Sequence, residues 1–153
     1  MRFIGCDNKK AGACSSDGVS KSVVYYLLTG VELQPVTATQ SSTHNNDDHR
    51  YGAANCIDGD TDSDIGPDGI YAICHTRDDT NPWIAIDYGT SVAVQRVEIF
   101  NRGAYGGRTR NVEVRISNEL PTSSSEMFSG GNLLGSFSGP AVDGQHIVIS
   151  GEK

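Results

Sequence analysis

The chain has 153 residues and a formal net charge of −7. That length fits one domain with a hydrophobic core of its own and leaves no room for a second full one. The acid excess is not interrupted by any basic stripe, which excludes the electrostatic footprint of a nucleic-acid binder and disfavours acidic glycans and anionic membranes as partners.

The first thirty residues carry Cys6, Cys14, the pair Lys9-Lys10 and a Ser/Gly-rich stretch over 14–22. They read as a leader, linker or tail of a preceding unit, with residues 23–28 a short strand within them. Neither the opening residues nor 23–28 holds an apolar run long enough for a secretory signal or a membrane span. From Leu33 the pattern changes, and Val36-Thr37-Ala38-Thr39-Gln40-Ser41-Ser42 reads as a strand running into a polar loop. The chain therefore divides into residues 1–32, outside the domain, and 33–153, the domain itself.

Ala53-Ala54-Asn55-Cys56-Ile57 has the length of one helical turn, closed by Asp58-Gly59, and a long acidic loop then runs to Gly69. Three strands follow, over 83–88, 93–100 and 112–117. The last two alternate apolar and polar residues, so each buries one face and wets the other. Asn81-Pro82 and Tyr88-Gly89-Thr90 punctuate them with turn chemistry. Beyond Asn118 a polar stretch extends to Asn132, and residues 133–137 and 146–150 read as two more strands. Short strands separated by turns, without helical period, indicate an all-β sandwich or barrel.

Four cysteines, Cys6, Cys14, Cys56 and Cys74, allow three pairings, and no two of them form a CxxC motif. That spacing argues against a zinc ribbon or a thioredoxin-like site. Cys56 and Cys74 flank one long loop and are the favoured pair.

Within the acidic loop, Asn55, Asp58, Asp60, Asp62 and Asp64 set oxygen donors at close spacing, as a hard cation requires. An EF-hand is excluded, because the glycine at the sixth loop position and the closing glutamate are missing. Taken alone, such a run is a solvated turn. His75, Arg102 and Arg108 are joined by nothing local, and they meet only if neighbouring loops converge at one end of a sandwich. Individually they read as a structural histidine and surface charges.

The ordered series changes that reading. Ala38-Thr39-Gln40-Ser41-Ser42, Ala53-Ala54-Asn55-Cys56-Ile57-Asp58-Gly59-Asp60, Cys74-His75-Thr76, Asn81-Pro82-Trp83-Ile84-Ala85-Ile86-Asp87-Tyr88-Gly89, Val97-Glu98-Ile99-Phe100-Asn101-Arg102 and the stretch 108–117 together resemble the F-type, fucose-binding lectins of the discoidin or coagulation-factor C-domain superfamily. The resemblance covers residues 33 to 152. It implies an all-β, discoidin-like jelly-roll β-sandwich, with the presence of its last strand left open, because Gly151-Glu152-Lys153 stands about where that strand should begin.

The resemblance further implies a non-catalytic, calcium-dependent lectin module for L-fucose-type glycans, secreted or extracellular, of the kind used in cell adhesion and innate immunity. Its partners would be fucosylated glycans or glycoproteins, with no nucleic acid and no membrane insertion. Useful avidity would come from homo-oligomers or tandem modules. The family's sugar-binding pattern is a histidine, a long gap, then Arg-x-Asp and a second basic residue. His75 and Arg102 match it, Ala104 stands at the aspartate, and Arg108 arrives one residue early. The family's adjacent cysteines, a platform under the sugar, are replaced by Gly103-Ala104-Tyr105-Gly106-Gly107.

Tyr105 and Tyr71, with Ile70, are the candidates for the sugar's apolar side. By the same correspondence Asn55 and Asp60 would offer backbone carbonyls to calcium, Asp58 a side-chain oxygen, and Glu152 a ligand from the final strand. The alternative is a discoidin-like adhesion module that binds protein, another glycan or a lipid head group without fucose recognition. Catalysis is disfavoured, because the carboxylates crowd into one loop instead of facing each other across a cleft. No Gly-x-Ser-x-Gly elbow, phosphate loop or metal-hydrolase motif is present.

Overall fold

The computed structural model describes residues 2–6, 19–20, 22–27, 32–62, 73–119 and 124–151. Eleven strands run through them in order: β1 (Arg2–Cys6), β2 (Val19–Ser20), β3 (Ser22–Leu27), β4 (Glu32–Leu33), β5 (Thr37–Gln40), β6 (Cys74–His75), β7 (Trp83–Asp87), β8 (Val94–Phe100), β9 (Val112–Ile116), β10 (Asn132–Phe137) and β11 (His146–Ser150). They build a five-stranded sheet in the order β10-β9-β1-β7-β5, a four-stranded sheet β11-β8-β3-β4, and the short ribbon β2-β6. All the pairings are antiparallel.

The alternation in the sequence explains the layering. In β11, Ile147 and Ile149 are buried while His146, Val148 and Ser150 are exposed, as expected of a strand with one dry face. Ile84 and Ile86 of β7 and Val112 and Val114 of β9 form one core with Val97 and Ile99 of β8 and Ile147 and Ile149 of β11. These are the inner faces of the two sheets. The all-β expectation therefore holds, and the strands expected over 83–88, 93–100, 112–117, 133–137 and 146–150 appear within a residue or so of their expected ends.

The N-terminal segment differs from its reading as a leader, linker or tail. β1 lies between β7 and β9, with Ile4 opposite both Ile84 and Val114. β3 lies between β8 and β4. Residues 1–32 thus contribute a strand to each sheet, and a boundary at Leu33 falls inside the fold. The physical reason is that the place of Arg2-Phe3-Ile4-Gly5-Cys6 in the sheet is set by pairing with strands about 80 and about 110 residues further on, which no local pattern records. A run that short carries no period by which to recognise it.

Small helical pieces fill the connections. The turn expected at residues 53–57 is a 3-10 helix over Ala53–Cys56. Cys56 at its end is disulfide-bonded to Cys74 of β6, the favoured pair. Helix α1 (Asp48–Tyr51) is capped by Asp47, whose side chain accepts from the Arg50 N–H at 3.1 Å, satisfying one of the first-turn donors. Helix α2 (Ser124–Ser129) lies in the stretch read as polar loop. Among the described residues no helix is long and apolar enough to cross a membrane.

Candidate functional site

β8 ends at Phe100, and the residue after it organises the neighbouring loops. Asn101 is completely buried. Its Nδ2 donates to the carbonyls of Gly106 (3.1 Å) and Val142 (2.8 Å), and its Oδ1 accepts from Thr109 Oγ1 (2.8 Å). Its backbone N–H donates to Gln145 O at 3.0 Å. A buried amide with its donors and acceptor all engaged is a strong constraint on the loops it joins.

The loops are those between β8 and β9 and between β10 and β11. Gly106 is buried where a Cβ would stand 2.5 Å from Val142 O and 2.6 Å from Asn101 Nδ2, so a side chain there has no space. The Gly106 N–H donates to Asp143 Oδ1 at 2.5 Å. Gly144 N donates to Arg102 O at 2.8 Å, and Ala141 N to Thr109 O at 2.9 Å. The two loops behave as one braced unit.

That unit carries Arg102, Tyr105 and Arg108. Tyr105 enters the short 3-10 turn Gly106–Arg108 in the left-handed region, at φ 60°, where a non-glycine residue is strained. Its ring is 67% exposed, whereas Arg102 is 6% exposed. The guanidinium carbons of Arg102 and Arg108 lie 5.4 and 5.0 Å from the ring centroid, within the range of cation–π attraction. Three of the residues expected from the sequence are thus in one place.

His75 is led to the same end of the molecule. Val19 pairs with His75 and Ser20 with Cys74, and Ser22 then pairs with Phe100, two residues before Arg102. Three residues of extended chain span at most about 10 Å. The His75 ring, however, points inward: the residue is 4% exposed and both ring nitrogens are buried. It stacks on His44 with centroids 4.2 Å apart and meets Tyr51 edge-on at 5.4 Å.

The wall around His75 is tied down by hydrogen bonds. Ser41 Oγ and Ser42 Oγ both donate to Asp79 Oδ2, at 2.5 and 2.7 Å. Gln40 Nε2 donates to Tyr51 O at 2.9 Å. His44, Tyr51, Asn101 and Asp143 were not legible from the sequence as parts of this end. Their roles depend on partners far along the chain, and only the neighbour of Asn101, Arg102, stood in a recognised pattern.

The acidic loop is described as far as Asp62. Asp58 Oδ1 accepts from Asp60 N, and Asp60 Oδ1 from Asp62 N, both at 2.9 Å, which is local turn chemistry. Asn55 Nδ2 faces the carbonyls of His49 and Ile73, each at 3.4 Å. Among the described residues no group of three or more His, Cys, Asp or Glu side chains could hold a metal ion. The donor types of Asn55, Asp58 and Asp60 suit calcium, which takes carbonyl and carboxylate oxygen. Tyr71, Ile70, Asp64 and Glu152 lie outside the described residues.

A shallow cleft of about 270 Å³ is lined by Asp87, Gly89, Thr90, Ser91 and Asn118. It lies by the turn joining β7 to β8, at the pole opposite the arginine loop, and offers neither an aromatic ring nor a cation.

Two antiparallel sheets with an exposed Tyr105 ring, a half-buried Arg108 and a buried Arg102 on braced loops at one end make a β-sandwich of the discoidin-like class. The family model described as the NedA-like, galactose-binding domain of F5/F8 type C matches residues 55–133, just over half of the chain, and the chain belongs to that family. The comparisons with curated proteins and with solved structures found no match. The matched span holds the described part of the acidic loop, His75 and the whole arginine loop. Domains of this class are typically non-catalytic binding modules, and membership points to carbohydrate binding in general.

Proposed function

We propose that this chain is a calcium-dependent lectin module whose ligand is an L-fucose-type glycan, bound where Arg102 and Arg108 flank Tyr105. The observation that carries the reading is the exposed Tyr105 ring with two guanidinium groups within 5.4 Å of its centroid. A pyranose has an apolar face that rests on an aromatic ring and hydroxyls that accept from guanidinium N–H groups. Each such bond contributes on the order of 1.5–3 kcal/mol before ordering costs. One shallow site then binds a monosaccharide at roughly micromolar to millimolar strength.

Calcium, when bound, would be held by Asn55, Asp58 and Asp60, with Glu152 as a further candidate ligand, and would order their loop. Tyr71 is a further candidate for apolar surface. His75 acts in this reading from within the wall it forms with His44 and Tyr51, and reaches a sugar hydroxyl only if that wall shifts. The disulfide between Cys56 and Cys74 suits an oxidising, extracellular setting. Fucosylated glycoproteins are the proposed partners.

The buried ring of His75 favours a second reading, in which the same loops bind another glycan, a protein or a lipid head group without fucose recognition. A glycan array probed with and without a calcium chelator, with Arg102→Ala as control, separates the two. Fucosylated glycans bound only with calcium, and lost in Arg102→Ala, support the first. Chelator-resistant binding to glycans lacking fucose would overturn it.

A further inference from the structure

We infer that the loop between β10 and β11, residues 138–145, is a second wall of that site. Asp143 is a positioning residue for the arginine loop, and Val142 is the contact for the sugar beyond the first. The inference rests on the carbohydrate-binding reading and extends its ligand to a glycan of at least two residues.

Asp143 carries the first half of the argument. Its Oδ1 takes the N–H of Gly106 at 2.5 Å, and Gly106 stands between Tyr105 and Arg108. Residues 101–109 include no Asp or Glu, so the anchoring carboxylate arrives from the other loop. A charge-assisted bond to a backbone N–H is among the stronger single hydrogen bonds. It fixes the turn that sets Tyr105 at φ 60°.

Val142 carries the second half. It is 67% exposed, as is Tyr105. The Val142 carbonyl is held by Asn101 Nδ2 at 2.8 Å and closely abuts Gly106, the residue after Tyr105. Two exposed apolar side chains are thus carried by backbones in direct contact, neither of which is free to move away. A single hexose rests on the exposed Tyr105 ring beside Arg108. The next sugar of an extended glycan continues over the adjoining backbone, where Val142 supplies apolar surface. Rigid presentation lowers the ordering cost of such a contact.

The test compares L-fucose and 2′-fucosyllactose by titration calorimetry on the full chain. Val142→Ser is expected to weaken the trisaccharide about threefold or more while leaving L-fucose within about 1.5-fold. Equal effects on both sugars, or none, overturn the role of Val142. Asp143→Ala is expected to weaken both about fivefold or more and Asp143→Asn, which can still accept from Gly106, to stay within about twofold.

Backbone amide exchange over 101–109 tests the positioning without any ligand: protection falls in Asp143→Ala and returns in Asp143→Asn. Unchanged protection overturns the role of Asp143. If the parent binds neither sugar, or Arg102→Ala changes neither, the carbohydrate site itself is misplaced, and the exchange measurement still decides the brace.

Discussion

Asn101 is the residue on which the candidate site hangs, although it need not touch a ligand. Its side chain fills three hydrogen bonds in a fully buried position. Asn101→Ala is expected to cost about 2–4 kcal/mol, since it leaves two carbonyls and a hydroxyl facing a void. Urea denaturation reads this directly, and a loss below about 0.5 kcal/mol would show that the brace is dispensable. Tyr105 poses the opposite trade. Tyr105→Asn accepts the left-handed backbone more readily, so the melting temperature should hold or rise while glycan affinity falls about tenfold. At this scale Arg102, Arg108 and Tyr105 are candidates on sequence because they stand in one short stretch with a recognisable pattern, and the structure brings the three together. Asn101 and Asp143 were invisible there: nothing in Asn101 says that Val142 lies opposite it. His75 was expected with its ring at the sugar, and the ring is instead buried and stacked on His44, a contact that sequence does not record.

Among the elements, β1 has the largest consequence for the least sequence signal. Ile4 faces Ile84 on one side and Val114 on the other, so its backbone groups belong to two ladders. Ile4→Pro removes a ladder donor and imposes a fixed φ in a central strand. The expected loss is about 3 kcal/mol or more by chemical denaturation. A stability equal to the parent's would restore residues 1–32 to the role of a leader. The disulfide between Cys56 and Cys74, 18 residues apart, joins the 3-10 turn to β6. Replacing both cysteines by serine should cost about 3 kcal/mol and loosen the approach to His75, as a lowered melting temperature under non-reducing conditions. Strands β7, β8, β9 and β11 were legible because each is a dense apolar or alternating run bounded by turns. The helices α1 and α2 were not, for they are one to two turns held by caps and local bonds, too short for a helical period to register.

The molecule as a whole joins these parts through pairings that no local pattern could disclose. The two sheets were predictable as a class from composition and alternation, but the order β10-β9-β1-β7-β5 depends on contacts between distant segments. Function at this scale concerns number. A lone shallow site is weak, so a fusion of two modules by a linker that spans both sites should gain about 10²-fold or more on a glycan-coated surface and nothing on free sugar. Surface plasmon resonance against both formats checks this, and equal gain or loss in the two would remove avidity from the account.

The central position of β1 also bears on how the chain reaches its native state. Arg2 pairs with Ile116 and with Ile86, so β1 must wait until residues 112–116 have been made before both its neighbours exist. Pairings so remote in sequence make for slow, late closure. Once made, β7 finds β1 and β5 already present, but until β9 follows, β1 keeps one open edge to whatever else is in reach. The nascent protein is therefore most exposed to aggregation, and most in need of a holding chaperone, between the emergence of β7 and the completion of β9.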